Sequence, residues 1–236
     1  MVGTDEREAK KHLKRLPAAR KYAGVRAHLK TYRQIVTYST LSEILSFLCI
    51  RPESPSIGTH KLFFEVRLGL RIADCIITIQ GGACPLCYII ELKTCLGNSI
   101  PLTDTVRKSQ RVEGLSQLTD SVRYLTQAVP PGREVWAVVP VLIFKNQKTL
   151  KTVHCETPLR SPATIQTTTA RLDTFLARRQ DERVREMLSK VSQATHMVRS
   201  RAVLDTAPGL RAIRAQTIPR RSKARRSQSA SPKTVT

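Results

Sequence analysis

The feature that most constrains this chain is the stretch from Phe63 to Cys95, FFEVRLGLRIADCIITIQGGACPLCYIIELKTC, where Asp74, Glu91 and Lys93 interrupt apolar, strand-like runs. An ionised group surrounded by apolar neighbours is costly unless it is paired or bound to a metal. These three charges are therefore the first candidates for a site.

The segments around them have recognisable periods. Lys61 to Leu68 alternates, which puts Leu62, Phe64 and Val66 on one face and Phe63, Glu65 and Arg67 on the other. Arg71 to Ile79 is β-branched, and Gln80-Gly81-Gly82 predicts a hairpin into Leu86 to Thr94, where Tyr88, Ile90 and Leu92 face away from Ile89, Glu91 and Lys93. Before them, Ser39 or Thr40 caps a short helix with Leu41, Ile44, Leu45 and Leu48 on one side and Glu43 in its first turn. After them, Val112, Leu115, Leu118, Val122 and Leu125 form the stripe of a long helix over 103–128, on which Gln110 and Gln117 share a face. Val135 to Phe144 reads as a buried strand in which Pro140 demands an edge position or a bulge. One more short strand is expected near Thr149 to His154, and a helix over 172–198.

The ends are different. Residues 1–33 carry nine lysines and arginines from Lys10 to Arg33 with few apolar residues between them, and read as a solvated basic arm ahead of a domain over 34–198. Residues 199–236 end in a Ser-rich basic segment with no core pattern, a disordered tail. The formal charge of +22 calls for an anionic partner, nucleic acid first and acidic membrane second. Aromatic residues are only 5% of the chain, too few for base stacking to be a broad binding strategy. The sequence has no apolar run long enough to span a membrane and no secretory signal, so the chain is expected to fold inside a cell with its six cysteines reduced.

The order helix, strand, strand, strand, long helix, strand carries an acid on the second strand and Glu91-Leu92-Lys93 on the third. Cleaving a phosphodiester needs a hard cation held by carboxylate oxygens, and a lysine two residues after the second acid projects from the same strand face. The pattern resembles the PD-(D/E)XK nuclease superfamily, whose fold class is α/β, an αβββαβ restriction-endonuclease-like core with a mixed sheet flanked by helices; here it would carry disordered basic tails. That resemblance implies Asp74 and Glu91 as ligands of Mg²⁺ or Mn²⁺, Lys93 as the water-positioning cation, Glu43 or Glu65 as a further acid, and Gln110 or Gln117 approaching from the long helix. The superfamily's usual proline before the aspartate is Ala73 here.

The wording EVRLGLRIADCI, CYIIELKTC and KSQRVEGLSQLTDSVRYL between basic ends is similar to the herpesvirus UL-twenty-four family over roughly 30–150. This resemblance implies a protein of the host nucleus and nucleolus, with the cytoplasm and virion as further places, that disperses host nucleolar proteins and is linked to cell-cycle arrest. Lys10, Lys11, Lys14 and Arg15, with Arg220, Arg221, Lys223, Arg225 and Arg226, are dense enough for nuclear import and for retention by RNA-rich surroundings, or are simply solvated ends. Cys84-Pro-Leu-Cys87 stands as a single pair, and a structural zinc site is not expected. Two function classes stay open: a metal-dependent endonuclease acting on DNA, with nucleolar RNA as a further partner, and a non-catalytic nuclear binding protein on a nuclease-like scaffold.

Overall fold

The computed structural model describes residues 2–51, 58–81, 84–97, 104–158 and 162–206. The basic segment 220–226, and with it the second half of the expected targeting set, lies outside the described residues.

Six strands form one open mixed sheet: β1 (Thr59–Leu68), β2 (Arg71–Gln80), β3 (Leu86–Cys95), β4 (Glu134–Asn146), β5 (Thr152–Glu156) and β6 (Ala163–Thr167). β1, β2 and β3 pair antiparallel in sequence, and β3 and β4 pair parallel. A parallel step needs a crossover, and helix α4 (Thr105–Ala128) supplies it. Its N-cap is Asp104, whose carboxylate accepts the Val106 N–H at 2.8 Å.

Helices cover the sheet. Leu118, Val122 and Leu125 of α4, with Leu172, Phe175 and Leu176 of α5 (Thr169–Ala177), pack on Ile76, Ile89, Leu142 and Phe144. On the other face, α2 (Ala18–Thr37), α3 (Leu41–Leu48) and Leu188 of α6 (Glu182–Thr206) pack on Cys75, Ile77, Ile90 and Ile143. Each fully buried Ile or Leu is worth about 1.5–3 kcal/mol, so both layers are well anchored to the sheet.

Several expectations are corrected. Residues 1–33 are not a solvated arm: α1 (Val2–Lys14) lies against α4, and α2 runs across the expected domain boundary with Ala27, Thr31, Tyr32 and Ile35 buried. The regular alternation of β1 breaks at Glu65, whose φ of 50° is left-handed. Phe64 therefore packs toward α2 and α3, whereas Val66 packs toward α4. Pro140 sits neither on a sheet edge nor in a bulge. It pairs in register with Ile89 on one side, and on the other it falls between the stretch of β4 paired with β6 and the stretch paired with β5, where no partner needs its missing N–H. The last expected helix is two helices, because residues 179–181 leave the helical path to cover β1: Arg67 N–H donates to the Arg179 carbonyl and Asp181 N–H to the Glu65 carbonyl. No helix among the described residues is long and apolar enough to cross a membrane.

Candidate acid site

The register of the first three strands builds the site. Phe64 pairs with Cys75 and Val66 with Ala73, which sets Glu65 opposite Asp74. Cys75 pairs with Ile90, and one further antiparallel step sets Asp74 opposite Glu91. Three carboxylates thus stand in one row across β1, β2 and β3. The backbone ladder between β2 and β3 ends at Cys75, and the Leu92 N–H donates instead to Asp74 Oδ2 at 2.6 Å. The strands part there because a side chain has taken over a ladder bond.

Two residues of α2 complete the row. The Tyr32 hydroxyl is 2.7 Å from Glu65 Oε1 and 3.0 Å from Asp74 Oδ1, while His28 Nδ1 is 3.2 Å from the same Asp74 oxygen. A phenol has a single proton, so Tyr32 donates to one of the two acids at a time. His28 and Tyr32 are four residues apart and share a helix face. On the far side, Lys93 Nζ is 3.0 Å from Glu91 Oε1, 3.2 Å from Glu113 Oε2 and 2.7 Å from Gln117 Oε1. α4 approaches closely enough for this because residue 114 is glycine: a Cβ there would stand 2.7 Å from Leu142 Cδ1 and 3.1 Å from Lys93 Cε.

The row is electrostatically uneven. Burial pushes the Asp74 carboxyl up, but the His28 charge and hydrogen bond and the Leu92 N–H outweigh it and hold Asp74 below the ordinary carboxylate value. Burial and the Asp74 charge together push Glu91 up to about 8. Burial and Asp74 also raise Glu65. Burial pulls His28 and Lys93 down, yet Asp74 in the first case and Glu91 with Glu113 in the second raise both. The Tyr32 phenol is pushed well above its usual value by burial and by both neighbouring acids.

The donor chemistry suits a hard divalent cation. Among the described residues no three His, Cys, Asp or Glu side chains form a ready-made cage, but Mg²⁺ keeps several waters and needs only one or two carboxylates. Asp74 Oδ2 accepts one bond, and Glu91 Oε2 accepts none among the described residues. Burial and the neighbouring Asp74 charge disfavour the charged form of Glu91, and a bound cation would offset both.

Of the residues singled out in the sequence, Asp74, Glu91, Lys93, Glu65 and Gln117 come together. Glu43 does not join them: its carboxylate accepts the Ser39 and Thr40 N–H groups at 2.9 and 3.0 Å, and the Glu43 N–H is capped in return by Thr40. Gln110 turns instead to Arg107 and the Thr94 carbonyl. Lys10 pairs with Glu6 at 2.7 Å, whereas Lys11, Lys14 and Arg15 are exposed. Cys75, Cys87 and Cys95 are buried and Cys84 is exposed. Sequence reasoning missed His28, Tyr32 and Glu113. Their signal was helical spacing, His28 to Tyr32 and Glu113 to Gln117 each being four residues apart.

Fold and site together define an α/β protein with a mixed sheet that carries a braced row of buried acids beside a lysine. The family model described as herpes virus proteins UL24 and UL76 matches residues 13–187. The protein UL24 homolog of human herpesvirus 8 type P (isolate GK18) is 50% identical over 232 residues, 98% of this chain and 90% of the relative. The homolog of equine herpesvirus 2 (strain 86/87) is 41% identical over 90% of this chain and 91% of its own length, and that of Epstein-Barr virus (strain B95-8) is 40% identical over 74% and 71%. The chain belongs to the herpesvirus UL24 family. No solved structure matches it.

Proposed function

We propose that this chain is a divalent-metal-dependent endonuclease of the PD-(D/E)XK type that acts on DNA in the nucleus of the infected cell. The observation that carries the reading is the row Glu65, Asp74 and Glu91 across three adjacent strands, with Lys93 two residues beyond the last acid. Asp74 and Glu91 would hold Mg²⁺ or Mn²⁺, which supplies polarisation of the phosphodiester and a more acidic water. His28 and the Leu92 N–H orient the Asp74 carboxylate and keep it charged, and the Tyr32 hydroxyl bridges it to Glu65. Lys93 stays protonated between Glu91 and Glu113 and places positive charge where the phosphate gathers negative charge; Gln117 holds the ammonium in place. Nuclear and nucleolar residence, redistribution of host nucleolar proteins and cell-cycle arrest belong to the same reading, with the Lys10 to Arg15 cluster and the basic segment 220–226 as address.

One observation favours the second reading, a binding protein on a nuclease-like scaffold. The Lys93 ammonium already has three acceptors, so without a cation the site is a closed ion-pair network. The test is cleavage of single-stranded, duplex and branched DNA by the purified full chain across a Mg²⁺ and Mn²⁺ titration. Metal-dependent cleavage that disappears in folded Asp74→Asn and Glu91→Gln proteins is the expected result. Absence of cleavage on every substrate, or equal cleavage by the variants, leaves the binding-protein reading.

A further inference from the structure

Helix α2 has two faces with different chemistry. Its inner face buries Ala27, Thr31, Tyr32 and Ile35 and holds the acid row through Tyr32 and His28. Its outer face is cationic. Tyr22, Arg26, Lys30 and Arg33 follow one another at four, four and three residues, lie on one side of the helix and are all exposed. No Asp or Glu stands between Glu8 and Glu43, so nothing within this part of the sequence offsets that charge. Among the described residues none of Arg26, Lys30 and Arg33 forms an ion pair: Arg26 lies 5.8 Å from the centroid of the Tyr22 ring, and Arg33 touches Met187 Sδ at 3.4 Å. Elsewhere on the same body Arg71 is neutralised by Glu6 and Asp120 and Arg111 by Glu156, while exposed cations such as Arg67, Arg133 and Arg178 stand singly on separate elements rather than as a row on one helix face. Cations left unpaired on a helix that braces a candidate phosphodiester site call for an external anion.

We propose that the outer face of α2 is the surface that holds the phosphate backbone of a nucleic acid strand, through Arg26, Lys30 and Arg33, with Tyr22 as a stacking platform at its end. An α-helix rises about 1.5 Å per residue, which sets the three cations roughly 6 and 4.5 Å apart along the axis. Successive phosphates advance about 3.4 Å along one strand of a duplex, so each cation meets a different phosphate within one or two nucleotides. A membrane surface fits less well, because a helix lying in a bilayer interface needs a broad apolar face, and the exposed side of α2 offers only Tyr22 and Val25. The delivery of that strand to the acid row rests on the nuclease reading; the binding itself does not.

The test separates the two. The full chain is titrated in EDTA against fluorescein-labelled single-stranded and duplex oligonucleotides over a salt series, so no cleavage enters the readout. The triple variant Arg26→Gln/Lys30→Gln/Arg33→Gln is compared with Lys148→Gln/Lys151→Gln/Arg178→Gln, which removes the same charge at exposed positions on other elements, and circular dichroism checks that both fold. The α2 variant is expected to bind at least about tenfold more weakly and to lose roughly two (single strand) to three (duplex) from the slope of log affinity against log salt, as three lost phosphate contacts require, while the control keeps most of both. Equal losses in the two variants, no loss in the α2 variant, or no binding by the parent overturns the assignment. So does a parent that binds vesicles of anionic phospholipid but neither oligonucleotide. An Asp74→Asn protein that no longer cleaves DNA but still shows the α2 effect leaves this surface standing without the nuclease.

Discussion

Lys145 shows how one side chain sets a measurable property away from the acid site. It is fully buried on β4, with its ammonium 2.5 Å from the Phe47 carbonyl oxygen and 3.5 Å from the centroid of the Phe47 ring. Burial brings its pKa down to about 8. The unfolded chain keeps that proton until about pH 10.4, so between these values the unfolded state binds more protons and stability rises with pH. Below pH 8 both states are charged and the cost of the buried cation is carried in full. Lys145→Met removes the charge at similar volume and leaves the Phe47 carbonyl its Thr152 hydroxyl donor at 3.1 Å. The variant should gain stability over the parent at pH 7, and the gain should shrink by up to about 3 kcal/mol on going to pH 10. Urea unfolding of both proteins at several pH values measures it; a difference that does not change with pH contradicts the account.

At the scale of elements, α4 is fitted to β3 and β4 through Gly114. Alanine there would gain about 1 kcal/mol of helix propensity. Its Cβ would meet Leu142 Cδ1 at 2.7 Å and Lys93 Cε at 3.1 Å, and overpacking of this kind costs about 1–3 kcal/mol. Gly114→Ala should therefore destabilise the fold by up to about 2 kcal/mol in denaturant titration, and a stabilised variant would show that α4 can move away from Lys93 freely. This glycine also shows why part of the site was hidden in the sequence. The strands bearing Asp74, Glu91 and Lys93 announced themselves by charges in apolar runs, and α3 by its cap and its repeat. Tyr32 and His28 lay in a segment whose many cations concealed a narrow buried stripe of Ala27, Thr31, Tyr32 and Ile35. Glu65 carried no sign of its left-handed φ, because an acidic residue within an alternating strand reads as an ordinary outward side chain. β6 (ATIQT) was too short and too polar to be separated from loop, and it pairs only because β4 offers it an edge.

For the whole molecule, a chain of net charge +22 builds its interior site from acids, and that contrast is what a protein handling a polyanion with a cation's help requires. The basic N-terminal segment turns out to be the bridge between the two, since α2 is cationic outside and touches Glu65 and Asp74 inside. The claim on which the rest depends is that the braced acid row takes up a divalent cation. Isothermal titration of Mn²⁺ into the full chain at neutral pH tests it most directly. The account predicts saturable binding by the parent, none at the same concentrations by folded Asp74→Asn, and binding weakened about 10–100-fold by Tyr32→Phe, which removes only the hydroxyl that bridges Glu65 and Asp74. Indistinguishable titrations for the three proteins, or no binding by the parent, would contradict it.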